Sequence, residues 1–131
     1  MSKPIIDIKL KTLEGMTGKV KAVVDTGSYF TIIRKDKLPE GIQTIKYLKP
    51  QVFGTAEKKG KLHIKAITEM ILIIEGHPVM ESVLISSDLK TEFILGAKTM
   101  QAWDITVKNR NGKTTVLVGR DMNDPEIQTV L

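Results

Sequence analysis

Apolar and polar residues alternate with a period of two along most of the chain. Ile6-Asp7-Ile8-Lys9-Leu10-Lys11 alternates residue by residue, and Lys19-Val20-Lys21-Ala22-Val23 does so again after a turn between Gly15 and Gly18. Side chains that change face at every step belong to strands with one dry and one wet side, so these runs predict a first hairpin. Val23-Val24 then runs straight into Asp25-Thr26-Gly27-Ser28, a turn signal directly behind an apolar strand. Phe30-Thr31-Ile32-Ile33 resumes as strand, and Lys35 to Leu38, ahead of Pro39 and Gly41, has room for a short helix or turn at most.

The second half repeats the theme. Lys49 to Gly54 and Leu62 to Ile67 flank the charged stretch Ala56-Glu57-Lys58-Lys59-Gly60, which predicts a second hairpin with an exposed tip. A strand is expected from Thr68 to Ile74, a tight turn at Glu75-Gly76-His77-Pro78, and a return from Val79 to Ser86. Thr91 to Leu95 is a further buried strand ending at Gly96, and Ala97 to Trp103 is the one segment with helical propensity. Ile105 to Lys108 and Thr114 to Val118, joined by a turn at Asn109 to Gly112, form a last hairpin. The tail from Gly119 to Leu131 is polar until Ile127 and Val130-Leu131. With no repeat or linker, the expectation is one all-β domain with a single short helix over residues 1–131, its core about 5–118 and its tail 119–131.

Composition removes several function classes. The 131 residues, 41% hydrophobic and 27% charged, are those of a soluble globular domain that can bury its own core. There is no cysteine to make a disulfide or a thiolate metal site. The longest apolar run, Met70 to Ile74, is far too short to cross a bilayer, and the first residues lack the apolar run of a signal peptide. A cytoplasmic protein without a membrane partner is expected. The net charge of +5 comes from lysines spread among apolar residues, as on the wet face of a sheet. Three Phe, two Tyr and one Trp are too few for a base-stacking platform, so no nucleic-acid partner is expected. His63 points outward from a strand and His77 sits in a turn, each without a second ligand at useful spacing. They read as solvent-exposed side chains, with no metal and no cofactor. Trp103 reads as core packing.

The chemistry is at Asp25-Thr26-Gly27-Ser28. Such a tetrapeptide arises by chance in about one chain of this length in a hundred, and Asp and Gly are ordinary turn formers. The flanks change its meaning. Val23-Val24 before it and Phe30-Thr31-Ile32-Ile33 after it carry a carboxylate between two buried strands, where it needs partners or a raised pKa.

Val23-Val24-Asp25-Thr26-Gly27-Ser28 resembles the active-site loop of the retropepsin-like aspartic proteases. Phe93-Ile94-Leu95-Gly96, leading into the expected helix, is similar to the family's second landmark, an apolar pair followed by Gly. Phe53-Gly54-Thr55-Ala56 through Gly60-Lys61-Leu62 falls where the family places its flap. Ile73 to Val79, leading into Val83-Leu84-Ile85, resembles the strand-turn-strand before the second landmark. The ordered match spans roughly residues 5 to 107.

The resemblance implies a half-barrel that works as a homodimer and an endopeptidase acting on extended polypeptide. Two carboxylates sharing one proton supply both the base that activates water and the acid that protonates the carbonyl oxygen. This chain has one Asp-Thr/Ser-Gly, so the second Asp25 must come from another copy through a two-fold pairing. By resemblance Asp25, Thr26 and Gly27 are catalytic: Thr26 bonds across the dimer axis, and Gly27 permits close backbone approach and offers its carbonyl to substrate. Ser28 sits beside the dyad, and Gly54, Thr55 and Ala56 close over the substrate. Ile94 and Leu95, with Ile32 and Ile33, line side-chain pockets or belong to the core. Retroviral members usually join a charged or polar residue after the second Gly to an Asp just after the active-site loop. Here those places hold Ala97 and Tyr29, which is closer to cellular or prokaryotic relatives. The alternatives are a non-cleaving dimerisation or peptide-binding module of the same fold, or a basic β-barrel that binds nucleic acid.

Overall fold

The alternation folds into strands as expected in a computed structural model whose described residues are 3–54 and 61–125. β1 (Ile5–Lys11) and β2 (Thr17–Asp25) pair antiparallel from Ile5 opposite Val23 to Lys11 opposite Thr17. Ile6, Ile8 and Leu10 point inward while Ile5, Asp7, Lys9 and Lys11 point outward. A slip of one residue would reverse every one of these, which fixes the register. β3 (Ile32–Arg34) is short and ends in a single 3-10 turn at Lys35–Lys37.

The second hairpin is β4 (Ile45–Gly54) and β5 (Lys61–Ile74). β5 is one continuous strand where the sequence suggested two. Its alternation runs through Thr68, a polar residue in an interior position, because the Thr68 hydroxyl donates to the Gln43 carbonyl at 2.7 Å. β4 starts before Lys49, and its register against β5 breaks between Lys46 and Gln51. Pro50 lies in that break, where a residue without an N–H does the least harm to a ladder. β6 (His77–Ser86) returns along β5 through Glu75 and Gly76. Both have positive φ, 50° and 80°, the two-residue turn that matches the natural twist of a hairpin.

β7 (Phe93–Gly96) leads directly into α1 (Ala97–Ala102), and β8 (Ile105–Arg110) with β9 (Lys113–Val118) forms a separate hairpin. The main sheet has the order β1-β2-β7-β3-β6-β5-β4, and β1 also pairs with β5. Six strands therefore close into a barrel, with β4 left outside as the flank of β5. The barrel is filled from all sides by Ile8, Leu10, Ile33, Leu72, Phe93 and Leu95, among others, each nearly or fully buried. Ile32, Leu62, Ile64, Leu84 and Leu89 form a second, smaller cluster.

Beyond β9 the chain folds back as far as it is described. The Gly119 N–H donates to the Asp104 carbonyl at 2.9 Å, Arg120 N–H to the Trp103 carbonyl at 3.0 Å and Met122 N–H to the Pro78 carbonyl at 2.8 Å. Trp103 caps α1 and packs against the barrel core, and its indole N–H donates to Glu81 Oε1 at 2.8 Å. Burial pushes the Glu81 carboxyl above its ordinary pKa, and the indole bond opposes this. A carboxyl raised in the fold prefers its protonated form there, so its negative charge is a liability above that value. Glu81→Gln keeps the acceptor and removes the charge. The variant should match or exceed the parent at pH 7 by less than about 1 kcal/mol. The gain should vanish as the pH falls and Glu81 itself becomes neutral. Thermal melts at pH 7 and pH 4 check this, and a clear loss at pH 7 would refute it.

Candidate active site

β2 and β7 run parallel, with Val24 beside Leu95 and Asp25 beside Gly96 at the end of the ladder. There β2 turns sharply. The Asp25 carbonyl accepts the Ser28 N–H at 3.1 Å, and Asp25 Oδ1 accepts the Gly27 N–H at 2.9 Å. One aspartate thus supplies both acceptors of its own turn, a local chemistry that Asp and Gly favour. The Gly27 bond also fixes the plane of the carboxyl group. The residue is 9% exposed, so its carboxylate needs partners. The second partner is unexpected: Lys3 Nζ lies 2.8 Å from Asp25 Oδ2. Lys3 is brought there by Pro4, whose carbonyl accepts the Val24 N–H at 2.9 Å.

The rest of the loop is held by the chain around Gly96. Gly96 N–H donates to Thr31 Oγ1 at 3.1 Å, Ala97 N–H to the Ser28 carbonyl at 2.7 Å and Lys98 N–H to the Tyr29 carbonyl at 2.9 Å. The first N–H groups of a helix have no partner within it, and here the loop supplies them. Thr31 Oγ1 and Thr99 Oγ1 share a hydrogen bond of 2.6 Å, with both residues buried. A Cβ on Gly96 would lie 2.3 Å from the Phe30 carbonyl oxygen, so only glycine lets the loop sit this close.

The expected site residues divide in an instructive way. Asp25, Thr26, Gly27 and Ser28 come together with Gly96 to Thr99, and Thr26 and Gly27 are exposed at the crown of the turn. The Ser28 hydroxyl donates to the Phe30 carbonyl at 2.8 Å, so it is tied into its own loop. Gly54 ends β4 opposite Lys61, whereas Thr55, Ala56 and the hairpin tip through Gly60 lie outside the described residues. Ile94 is half-buried and packs with Ile32 in the smaller cluster, while Leu95 and Ile33 are fully buried in the barrel core. Strand alternation explains the split: neighbours on one strand face opposite sides.

Lys3, Thr31 and Thr99 were not singled out by the sequence. Thr31 left a faint signal, a polar residue inside an apolar strand; Lys3 and Thr99 left none. The histidines are partly exposed as expected, but each has a carboxylate partner that no spacing announced. His63 Nδ1 lies 2.9 Å from Asp88 Oδ2, and His77 Nδ1 lies 2.6 Å from Asp121 Oδ2. Hydrogen bonds from the Ser86 hydroxyl and from His63 hold the Asp88 pKa down to about 2.

The family model described as retroviral aspartyl protease matches residues 1–108. Among solved structures, the retroviral protease-like domain of Ddi1 from Leishmania major is similar, with a TM-score of 0.59 at 14% identity. The match covers 92% of this chain and 98% of that one. EIAV protease, in its complex with the inhibitor HBY-793, matches with a TM-score of 0.57 at 13% identity, over 77% of this chain and 88% of its own. Identities this low show a shared fold and nothing finer. No curated protein matches the chain in sequence. The family match takes in the closed barrel, the Asp25 turn and the Gly96 junction on which that turn rests, and the chain therefore belongs to the retroviral aspartyl protease family.

Proposed function

We propose that this protein is an aspartic endopeptidase whose catalytic centre forms when two copies bring their Asp25 turns face to face. The observation that carries the reading is Asp25 itself: a nearly buried carboxylate, its plane set by the Gly27 N–H, in the only Asp-Thr/Ser-Gly of the sequence. One carboxylate cannot be both base and acid in the same step. Two of them a few Å apart cannot both ionise, so they share a proton. The ionised member draws a proton from water as the water attacks the peptide carbonyl, and the protonated member donates to the carbonyl oxygen.

Pairing has a local consequence. Oδ1 is engaged by Gly27, which leaves Oδ2 to face the second carboxyl group, and Oδ2 is where Lys3 now sits. The Lys3 side chain is 48% exposed, so it exchanges this contact for water at little cost when a partner turn arrives. Substrate in extended form would lie between the paired turns and the β4–β5 hairpin. Among the described residues β4 pairs only with β5, which leaves its outer edge there for strand addition.

Specific activity against a peptide is expected to rise with protein concentration and level off as dimer saturates. It should follow a bell in pH on the acid side and survive chelators. Activity strictly proportional to concentration, from a species that sediments as monomer, would refute the shared centre. A saturated dimer that binds peptide without cutting it would point to the binding module instead.

A further inference from the structure

The Asp25 turn projects from the end of a barrel, and its return path to β3 runs over the start of α1. Three backbone bonds from Gly96, Ala97 and Lys98 span this junction, and only one of them ends on a side chain: Gly96 N–H to Thr31 Oγ1. Thr31 is 2% exposed and Thr99 is 1% exposed, so neither hydroxyl has water as an alternative partner. They bond each other at 2.6 Å across 68 residues of sequence.

We infer that the Thr31–Thr99 hydroxyl pair is a positioning device for the catalytic turn: it fixes the distance between the loop's return and the first turn of α1, and so sets where Asp25 stands. The inference rests on the peptidase reading for its kinetic consequence. Thr31 lies just before β3, which pairs with both β6 and β7, so its backbone end is anchored in the barrel. The Leu84 N–H also donates to the Thr31 carbonyl at 3.0 Å. Thr99 is the buried residue of α1. The pair therefore joins two anchored points, and the segment between Asp25 and Thr31 is hung between them on its bonds to Ala97 and Lys98. Asp25 is next to Gly96 in the β2–β7 ladder, and Gly96 N–H is held by Thr31 Oγ1. A shift at the hydroxyls reaches the carboxyl through one hydrogen bond and one ladder step. Two neutral hydroxyls suit this place, since burying an ion pair would carry a desolvation penalty for each charge. A buried, fully bonded polar network also specifies one geometry more sharply than apolar packing does.

Thr31→Val and Thr99→Val keep the shape and remove one hydroxyl each. Thr99→Val leaves the Thr31 acceptor for Gly96 in place, so it remains informative if Thr31→Val folds poorly. With active sites counted by a tight statine-type inhibitor, kcat should fall by about tenfold or more while KM changes by less than about twofold. Misplacement of a reacting group by a fraction of an ångström to 1 Å has effects of this order. Thr31→Ser and Thr99→Ser, which restore the hydroxyl without the methyl, should recover most of the rate. The double Val variant should be no worse than the poorer single, because either change breaks the same bond.

Amide exchange at Gly27 supplies a readout that needs no cleavage. Its N–H bond to Asp25 Oδ1 should lose protection in Thr99→Val and keep it in Thr99→Ser. Unchanged kcat and unchanged Gly27 protection in folded Thr99→Val would overturn the inference, as would Ser variants as impaired as the Val ones. If the parent protein cleaves no peptide at any concentration, the peptidase reading fails and Gly27 exchange alone decides the positioning role.

Discussion

Asp25→Asn is expected to abolish peptide cleavage, lowering kcat on the order of a thousandfold or more, while the fold survives. A general acid or base contributes roughly 10²–10⁴-fold, and in a homodimer one substitution removes both roles at once. The fold should survive because an asparagine Oδ1 can still accept the Gly27 N–H now held at 2.9 Å. What it loses is the Lys3 contact, made by a side chain that is 48% exposed. Ion pairs with one hydrated partner are worth about 0–1 kcal/mol. The melting temperature should therefore move by no more than about 5 °C. Mixing gives a sharper test. Excess Asp25→Asn protein added to the parent should suppress its activity, since mixed pairs carry a single carboxylate. Activity that persists in proportion to the parent present would mean that each chain cuts alone, and the shared dyad would be wrong.

Those parts of the fold that depend on neighbours in sequence are readable from it. The Asp25 turn closes on its own residues, the Glu75-Gly76 turn needs only positive φ, and the inward faces of β1 and β5 follow the period of two. Where a local rule has an exception, reading along the chain goes astray. Thr68, a polar residue at an inward position, suggests a break between two strands until the Gln43 carbonyl is seen to satisfy it. Pairings set by sheet register are out of reach. Lys3 meets Asp25 because β1 lies against β2, His63 meets Asp88 because β5 turns into β6, and Thr31 meets Thr99 because β7 lies between β2 and β3. The Lys3 and Thr31 contacts lie at or beside the Asp25 turn, so the sequence points to the candidate carboxylate and conceals what positions it.

Gly96→Ala should be among the most damaging single-methyl changes in the protein. The added Cβ would lie 2.3 Å from the Phe30 carbonyl oxygen, 2.5 Å from its carbon and 2.8 Å from the Tyr29 carbonyl oxygen. All three are backbone atoms, which cannot rotate away as a side chain could. The loop would have to lift from the junction. That would strain the Ala97 bond to the Ser28 carbonyl and the Lys98 bond to the Tyr29 carbonyl. Overpacking a buried site costs about 1–3 kcal/mol when side chains can adjust. With backbone on the other side, a loss of about 3 kcal/mol or more is expected, and a fall of roughly 10 °C in melting temperature. Gly15→Ala is the control. At Gly15 a Cβ meets nothing within 4 Å, but φ is +95°, so only backbone strain opposes the change. That strain is worth on the order of 1 kcal/mol. Gly96→Ala should also depress any remaining activity beyond its effect on the folded fraction, because the displaced atoms belong to the segment that returns from Asp25. Equal melting temperatures for the two variants would mean that the loop is not packed against Gly96 as described.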